Sequence, residues 1–84
     1  MKYSLFWTDP AIKDLGKLPK PVAQRIFDKV NSIGDDPYRT TERCEGYPYY
    51  HQRIGAYRTI LEIDDADLLV SILKVGPRKK VYDR

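Results

Sequence analysis

A chain of 84 residues supports one small domain with a modest core, and leaves no room for a large enclosed cofactor cavity beside that core. Hydrophobic residues make up 42% and charged residues 32%, the balance of a globular domain; no apolar run nears the ~20 residues of a membrane span, and the N-terminus has no signal-peptide pattern. The net charge of +3 is a weak pointer to a polyanionic partner, and the single cysteine, Cys44, excludes an internal disulfide and a cysteine-based zinc site, which fits a reducing cytoplasm.

In chain order, Lys2 to Trp7 reads as a strand in which Tyr3, Leu5 and Trp7 alternate with more polar neighbours. Asp9 is placed to cap a helix, with Pro10 at its first position. Ala11, Ile12, Leu15 and Leu18 form its apolar side, and Pro19 ends it. A second helix starts at Pro21. Val22, Ala23, Ile26, Phe27, Val30 and Ile33 recur at helical spacing, and Gly34 is placed as the residue after its end. The short Leu18–Pro21 link predicts an antiparallel helix hairpin.

Asp35 to Pro48 reads as a polar loop outside the core. Tyr49 to Ile63 then reads as two strands around Gly55-Ala56, a pair suited to a type II′ turn. Asp64-Asp65-Ala66-Asp67 makes the next turn, and Leu68 to Val75 is apolar enough for a central strand. The expected fold is therefore α+β: one domain over residues 1–84, order β-α-α-β-β-β, with the helix hairpin on one face of an antiparallel sheet.

Side chains alternate along a strand, so one face of the hairpin collects His51, Arg53 and Arg58. Gln52 shares parity with Tyr50 and Ile54, which are expected to be buried, and is irregular there. Lys74, Arg78, Lys79 and Lys80 extend the positive charge towards Tyr82 near the C-terminus. No phosphate-binding glycine loop, nucleophile elbow or metal-ligand cluster is present, so no cofactor and no metal are expected. Cations with a histidine and tyrosines suit a phosphodiester. Arginines stabilise the extra negative charge that develops when a 2′-OH attacks phosphorus, and His51 is the one side chain here whose unperturbed pKa lies near neutrality. Taken singly, each residue has a plainer reading, as surface histidine, cross-strand partner or solvated tail.

Three segments resemble the RelE/ParE superfamily of prokaryotic toxin–antitoxin toxins. They are Ala11-Ile12-Lys13-Asp14-Leu15 with Leu18-Pro19, then Arg53-Ile54-Gly55-Ala56-Tyr57-Arg58, then Val75-Gly76-Pro77-Arg78-Lys79-Lys80-Val81-Tyr82. The resemblance implies two helices on an antiparallel sheet. In the RelE branch it further implies a metal-independent endoribonuclease that cleaves mRNA in the ribosomal A site and inhibits translation. The matching positions are Arg53, Arg58, Arg78 and Tyr82: Arg58 and Arg78 would bind the scissile phosphate, Arg53 would support its charge, and Tyr82 would transfer a proton, or else His51, which stands where the RelE branch often has Lys or Arg and whose role is read from its own chemistry. Lys74, Lys79 and Lys80 would add RNA contacts. The implied partners are a cognate RelB-like antitoxin, in a toxin–antitoxin hetero-oligomer, and the 70S-type ribosome with its mRNA; no membrane and no small-molecule cofactor are involved. The alternatives are a ParE-like inhibitor of DNA gyrase and an inactive relative that only binds an antitoxin. Gln52 stands where the family usually has an aliphatic residue.

Overall fold

The structure, a computed structural model, describes residues 2–77. Its first strand, β1 (Ser4–Trp7), leads into helix α1 (Asp9–Gly16) and helix α2 (Lys20–Asn31). Thr8, rather than Asp9, caps α1: its backbone is extended and its hydroxyl accepts from the Ala11 N–H at 3.4 Å. The same hydroxyl donates to the Ile72 carbonyl at 2.6 Å, so the cap also fastens the helix to the sheet. The cap therefore lies one residue earlier than expected, because of two adjacent capping residues only Thr8 also reaches the sheet.

Helix α2 ends at Asn31, with Ser32 in a right-handed conformation as its C-cap. Gly34 is thus not a left-handed terminator. It is buried, its carbonyl accepts the Tyr3 N–H at 2.8 Å, and a Cβ there would stand 3.0 Å from the Tyr3 carbonyl oxygen. Its lack of a side chain serves the close approach of β1.

The other strands are β2 (Glu42–Arg43), β3 (Tyr50–Ile54), β4 (Tyr57–Asp64) and β5 (Leu69–Pro77). They form a five-stranded sheet in the order β1-β5-β4-β3-β2. The meander β3-β4-β5 is antiparallel as expected, whereas β1 joins β5 in parallel, so the sheet is mixed. The two-residue β2, in the segment read as loop, pairs Glu42 with His51 and Arg43 with Tyr50. Cys44 and Pro37 in that segment are buried.

One face of the sheet packs on the helices. Ala11, Ile26 and Val30 from the helices meet Ile54, Leu61, Val70, Ile72 and Val75 from the strands, all buried. The register between β4 and β5 shifts at Ile60/Leu61, where Ile60 faces Lys74 but Leu61 faces Ile72. The extra residue, Leu73, is a bulge that keeps Leu61 and Ile72 both turned to the helices. Because β1 ends at Trp7, opposite Ile72, the Val75 N–H has no neighbouring strand on that side among the described residues, and the Asp14 carboxylate of α1 accepts it at 3.0 Å.

Away from the core, Asp65 accepts from the hydroxyls of Tyr3 and Tyr38, each at 2.7 Å. That carboxylate ties together the approach to β1, the segment before β2 and the β4–β5 turn. The two hydroxyl bonds, Tyr38's first, hold the Asp65 carboxyl below its ordinary range and push the Tyr38 phenol up.

Candidate functional site

The β3–β4 hairpin turns at Gly55, whose φ of 61° lies in the left-handed region that type II′ requires at its first central position. This two-residue turn sets Arg53 directly opposite Arg58, and His51 opposite Ile60. All four point away from the helices. Lys74, opposite Ile60 on β5, shares that face and is exposed. His51, Arg53, Arg58 and Lys74 are therefore brought together as expected, while Arg78, Lys79, Lys80 and Tyr82 lie outside the described residues.

The face is less open than alternation suggested. Arg53 is exposed, but Arg58 is only 3% and His51 only 6% exposed. Burial keeps the Arg58 guanidinium in a low-dielectric setting, where its charge acts more strongly than it would in water. Like charges set directly opposite each other on a sheet repel. An anion placed between Arg53 and Arg58 would relieve that repulsion. Among the described residues Arg53 makes no ion pair.

His51 is held at both ring nitrogens. Nε2 lies 3.3 Å from the Glu42 Oε1, and Nδ1 lies 3.6 Å from the Cys44 Sγ. An ionised carboxylate only accepts, so Nε2 carries the proton and the Nδ1 lone pair faces the Cys44 thiol. Burial, then the Arg58 charge, lowers the His51 pKa from its ordinary value of 6.5; Glu42 opposes this and Arg53 adds to it. His51 is thus a neutral, oriented imidazole at pH 7.

Glu42 and Cys44 were missed by sequence reasoning because their segment reads as polar loop. A signal was present: Gly46 and Pro48 separate Glu42-Arg43 from Tyr49-Tyr50, which is hairpin spacing. The Cys44 N–H duly donates to the Tyr49 carbonyl at 2.8 Å.

Arg39 was missed as well. It lines a cleft of about 180 Å³ with Glu42, His51 and Arg53, and also a larger cleft that includes Arg53 and Gln52. Among the described residues, no group of three or more His, Cys, Asp and Glu side chains is placed to hold a metal ion. No helix among them is long and apolar enough to cross a membrane. Chemically, the face offers fixed positive charge for an anion, a neutral imidazole with a set tautomer, and shallow polar clefts at its rim.

The sequence model of the family described as "ParE toxin of type II toxin-antitoxin system, parDE" matches residues 5–82. Toxin RelG of Mycobacterium tuberculosis is 31% identical over 87 aligned positions, covering 100% of both chains. Among solved structures, a chain of the toxin–antitoxin complex RelBE2 from the same organism superposes with a TM-score of 0.84 at 30% identity, covering 93% of each chain. A chain of the archaeal RelE–RelB complex from Pyrococcus horikoshii superposes at 0.79 with 27% identity, covering 93% of this chain and 97% of that one.

Proposed function

The chain belongs to the RelE/ParE superfamily, toxins of type II toxin–antitoxin systems, and from that premise we propose that it is a ribosome-dependent, metal-independent mRNA endonuclease. The observation that carries this reading is the direct opposition of Arg53 and Arg58 beside His51 on the face away from the helices. Attack of a 2′-OH on the adjacent phosphorus produces a pentavalent state with more negative charge than the ground state. Arg58, buried and fixed, is suited to stabilise that added charge, with Arg53 in support and Arg78 from the tail. Lys74, Lys79 and Lys80 supply further contacts to the RNA backbone. Proton transfer falls to His51 or Tyr82. His51 commits both ring nitrogens to Glu42 and Cys44, which favours Tyr82 as the donor to the leaving 5′-oxygen and His51 as an orienting group.

The partner in the resting cell is a RelB-like antitoxin, and the neighbouring structures that are toxin–antitoxin complexes support this. Exposed apolar side chains suit such a contact: Ile12 and Phe27 on the helix hairpin, and Phe6 on the edge strand β1. The cytoplasm, where translating ribosomes are, is the matching location.

Inducing the toxin alone and mapping mRNA 5′ ends tests the reading. Codon-phased cuts within translated mRNA are expected, with a 2′,3′-cyclic phosphate on the upstream product. Arg58→Ala and Arg78→Ala should each lower cleavage by at least about a hundredfold, the scale of one lost transition-state contact. The family model is named for ParE, which favours one alternative, inhibition of DNA gyrase. Intact mRNA with arrested replication would establish that alternative, and a folded chain that arrests nothing would leave only antitoxin binding.

A further inference from the structure

The residue that the core does not explain is Gln52. It sits on the helix-facing side of β3 between Tyr50 and Ile54, is 5% exposed, and its Oε1 has no hydrogen-bond partner among the described residues. A buried carboxamide without partners is unfavourable by itself. What adjoins it is a cleft. Strand β2 pairs only with Tyr50 and His51, so among the described residues no strand covers the outer edge of β3 at Gln52 and Arg53. The chain before β2 stands off from that edge, and the space between holds about 470 Å³. Gln52 and Arg53 line it from the strand, Arg39 and Thr40 from the facing segment, and Asp35 and Asp36 from just beyond α2. Arg39, Thr40 and Arg53 also line the smaller cleft beside His51, so the two clefts adjoin at these residues.

The lining carries both charges: Lys29, Arg39 and Arg53 are cationic, Asp35 and Asp36 anionic. Arg39 and Arg53 flank the end nearest His51, where they suit a phosphate. The rest of the lining mixes acceptors, the carboxylates of Asp35 and Asp36 and the carboxamide of Gln52, with donors, the Lys29 ammonium and the Ser32 hydroxyl. A glutamine carboxamide pairs in a bidentate way with adenine, accepting from N6–H and donating to N7. A turn of the Gln52 carboxamide presents its oxygen to the cleft and gives it the partner it lacks.

We propose that this cleft is a nucleotide subsite next to the cleavage site, with the phosphate held by Arg39 and Arg53 and an adenine edge read by Gln52. It rests on the RNA-cleaving reading above and extends it from phosphate binding to base preference. Gln52 is then the specificity-determining residue, and its place in an otherwise apolar row follows from that role.

The experiment is a titration of the isotopically labelled, antitoxin-free toxin with AMP, UMP and ribose 5-phosphate, followed by NMR of side-chain amide and guanidinium resonances. AMP is expected to shift the Gln52 carboxamide and Arg39 signals and to bind about tenfold more tightly than UMP. Ribose 5-phosphate should shift Arg39 and Arg53 but not Gln52. In Gln52→Leu, which keeps side-chain size, the AMP/UMP ratio should fall to about one. In Arg39→Ala, all three ligands should weaken about fivefold or more. Equal affinity for AMP and UMP in the unmodified chain, an unchanged ratio in Gln52→Leu, or shifts confined to other surfaces would overturn the subsite. None of these readouts needs a ribosome, so the subsite stands or falls separately from the mRNA-cleavage experiment.

Discussion

Replacing Gln52 by leucine should stabilise the fold, an uncommon outcome for a change at a buried position. In the unfolded chain the carboxamide is fully hydrated. In the folded chain it is 5% exposed, and Oε1 has no partner among the described residues. Its cross-strand neighbour does not supply the bond: the Thr59 hydroxyl directly opposite is buried too and, among the described residues, bonds neither to Gln52 nor to any other group. An unsatisfied buried acceptor costs about 1–3 kcal/mol. Leucine has nearly the same volume, removes that penalty, and lies in a row with Tyr50 and Ile54 above the apolar core. Imperfect shape returns part of the gain, so the net expectation is about 1–2 kcal/mol, or a rise in Tm of roughly 4–8 °C per kcal/mol for a chain of this size. Urea unfolding of the purified toxin, followed by far-UV circular dichroism, checks this. The midpoint should rise with the slope unchanged, since the same surface is exposed on unfolding. A midpoint that falls or stays put would show that the carboxamide is satisfied in solution, and the reasoning about an unpartnered acceptor would fail.

Three other perturbations follow from single contacts. Asp14→Ala removes the acceptor of the buried Val75 N–H and should destabilise by about 2 kcal/mol, with faster hydrogen exchange at Val75; Asp14→Asn, which retains an acceptor, should lose less. Gly34→Ala drives a Cβ to 3.0 Å from the Tyr3 carbonyl oxygen and should lower stability by about 1–3 kcal/mol in thermal unfolding, and an unchanged Tm would mean that the approach of β1 is looser than described. The folded His51 has a pKa below its ordinary 6.5, so between those two values the unfolded state binds more protons. Stability should be level above about pH 7, fall as pH drops through 6.5, and level again below the folded pKa; in His51→Gln that slope should disappear from a series of urea midpoints.

The elements were legible where local rules and packing agree. Helical spacing in Val22–Val30, the prolines in the first turn of each helix, and Gly55 in the hairpin turn each act over a few residues and each is found, although both helices start one residue before their proline and Ile33 lies beyond the end of α2. Alternation also placed His51, Arg53 and Arg58 on one face, because strand parity needs no knowledge of partners. What escaped depends on distant contacts. The parallel docking of β1 on β5 is not encoded in either strand's pattern, since alternation carries no direction. Strand β2 consists of Glu42 and Arg43, residues of poor strand propensity that become extended only because Tyr50 and His51 are there to pair with.

The same distinction separates a face from a site. Parity shows which way His51 points but not what meets it, so the Glu42 and Cys44 contacts that fix its tautomer were invisible in the sequence. It also shows that Gln52 points inward, and nothing more. An inward polar residue is an anomaly if the core is continuous beneath it. Here the core stops at the edge of β3, and the space beside Gln52 opens into a cleft that shares Arg39 and Arg53 with the smaller cleft beside His51. A leucine at that position would complete the core and raise stability, yet could read no base. Both consequences come from one atom, the Gln52 Oε1, so the stability and nucleotide experiments constrain each other. If Gln52→Leu is more stable and still prefers AMP to UMP, the acceptor is a packing defect and the base is read elsewhere. If it is more stable and loses the preference, the instability of the native core at Gln52 is a direct consequence of recognition.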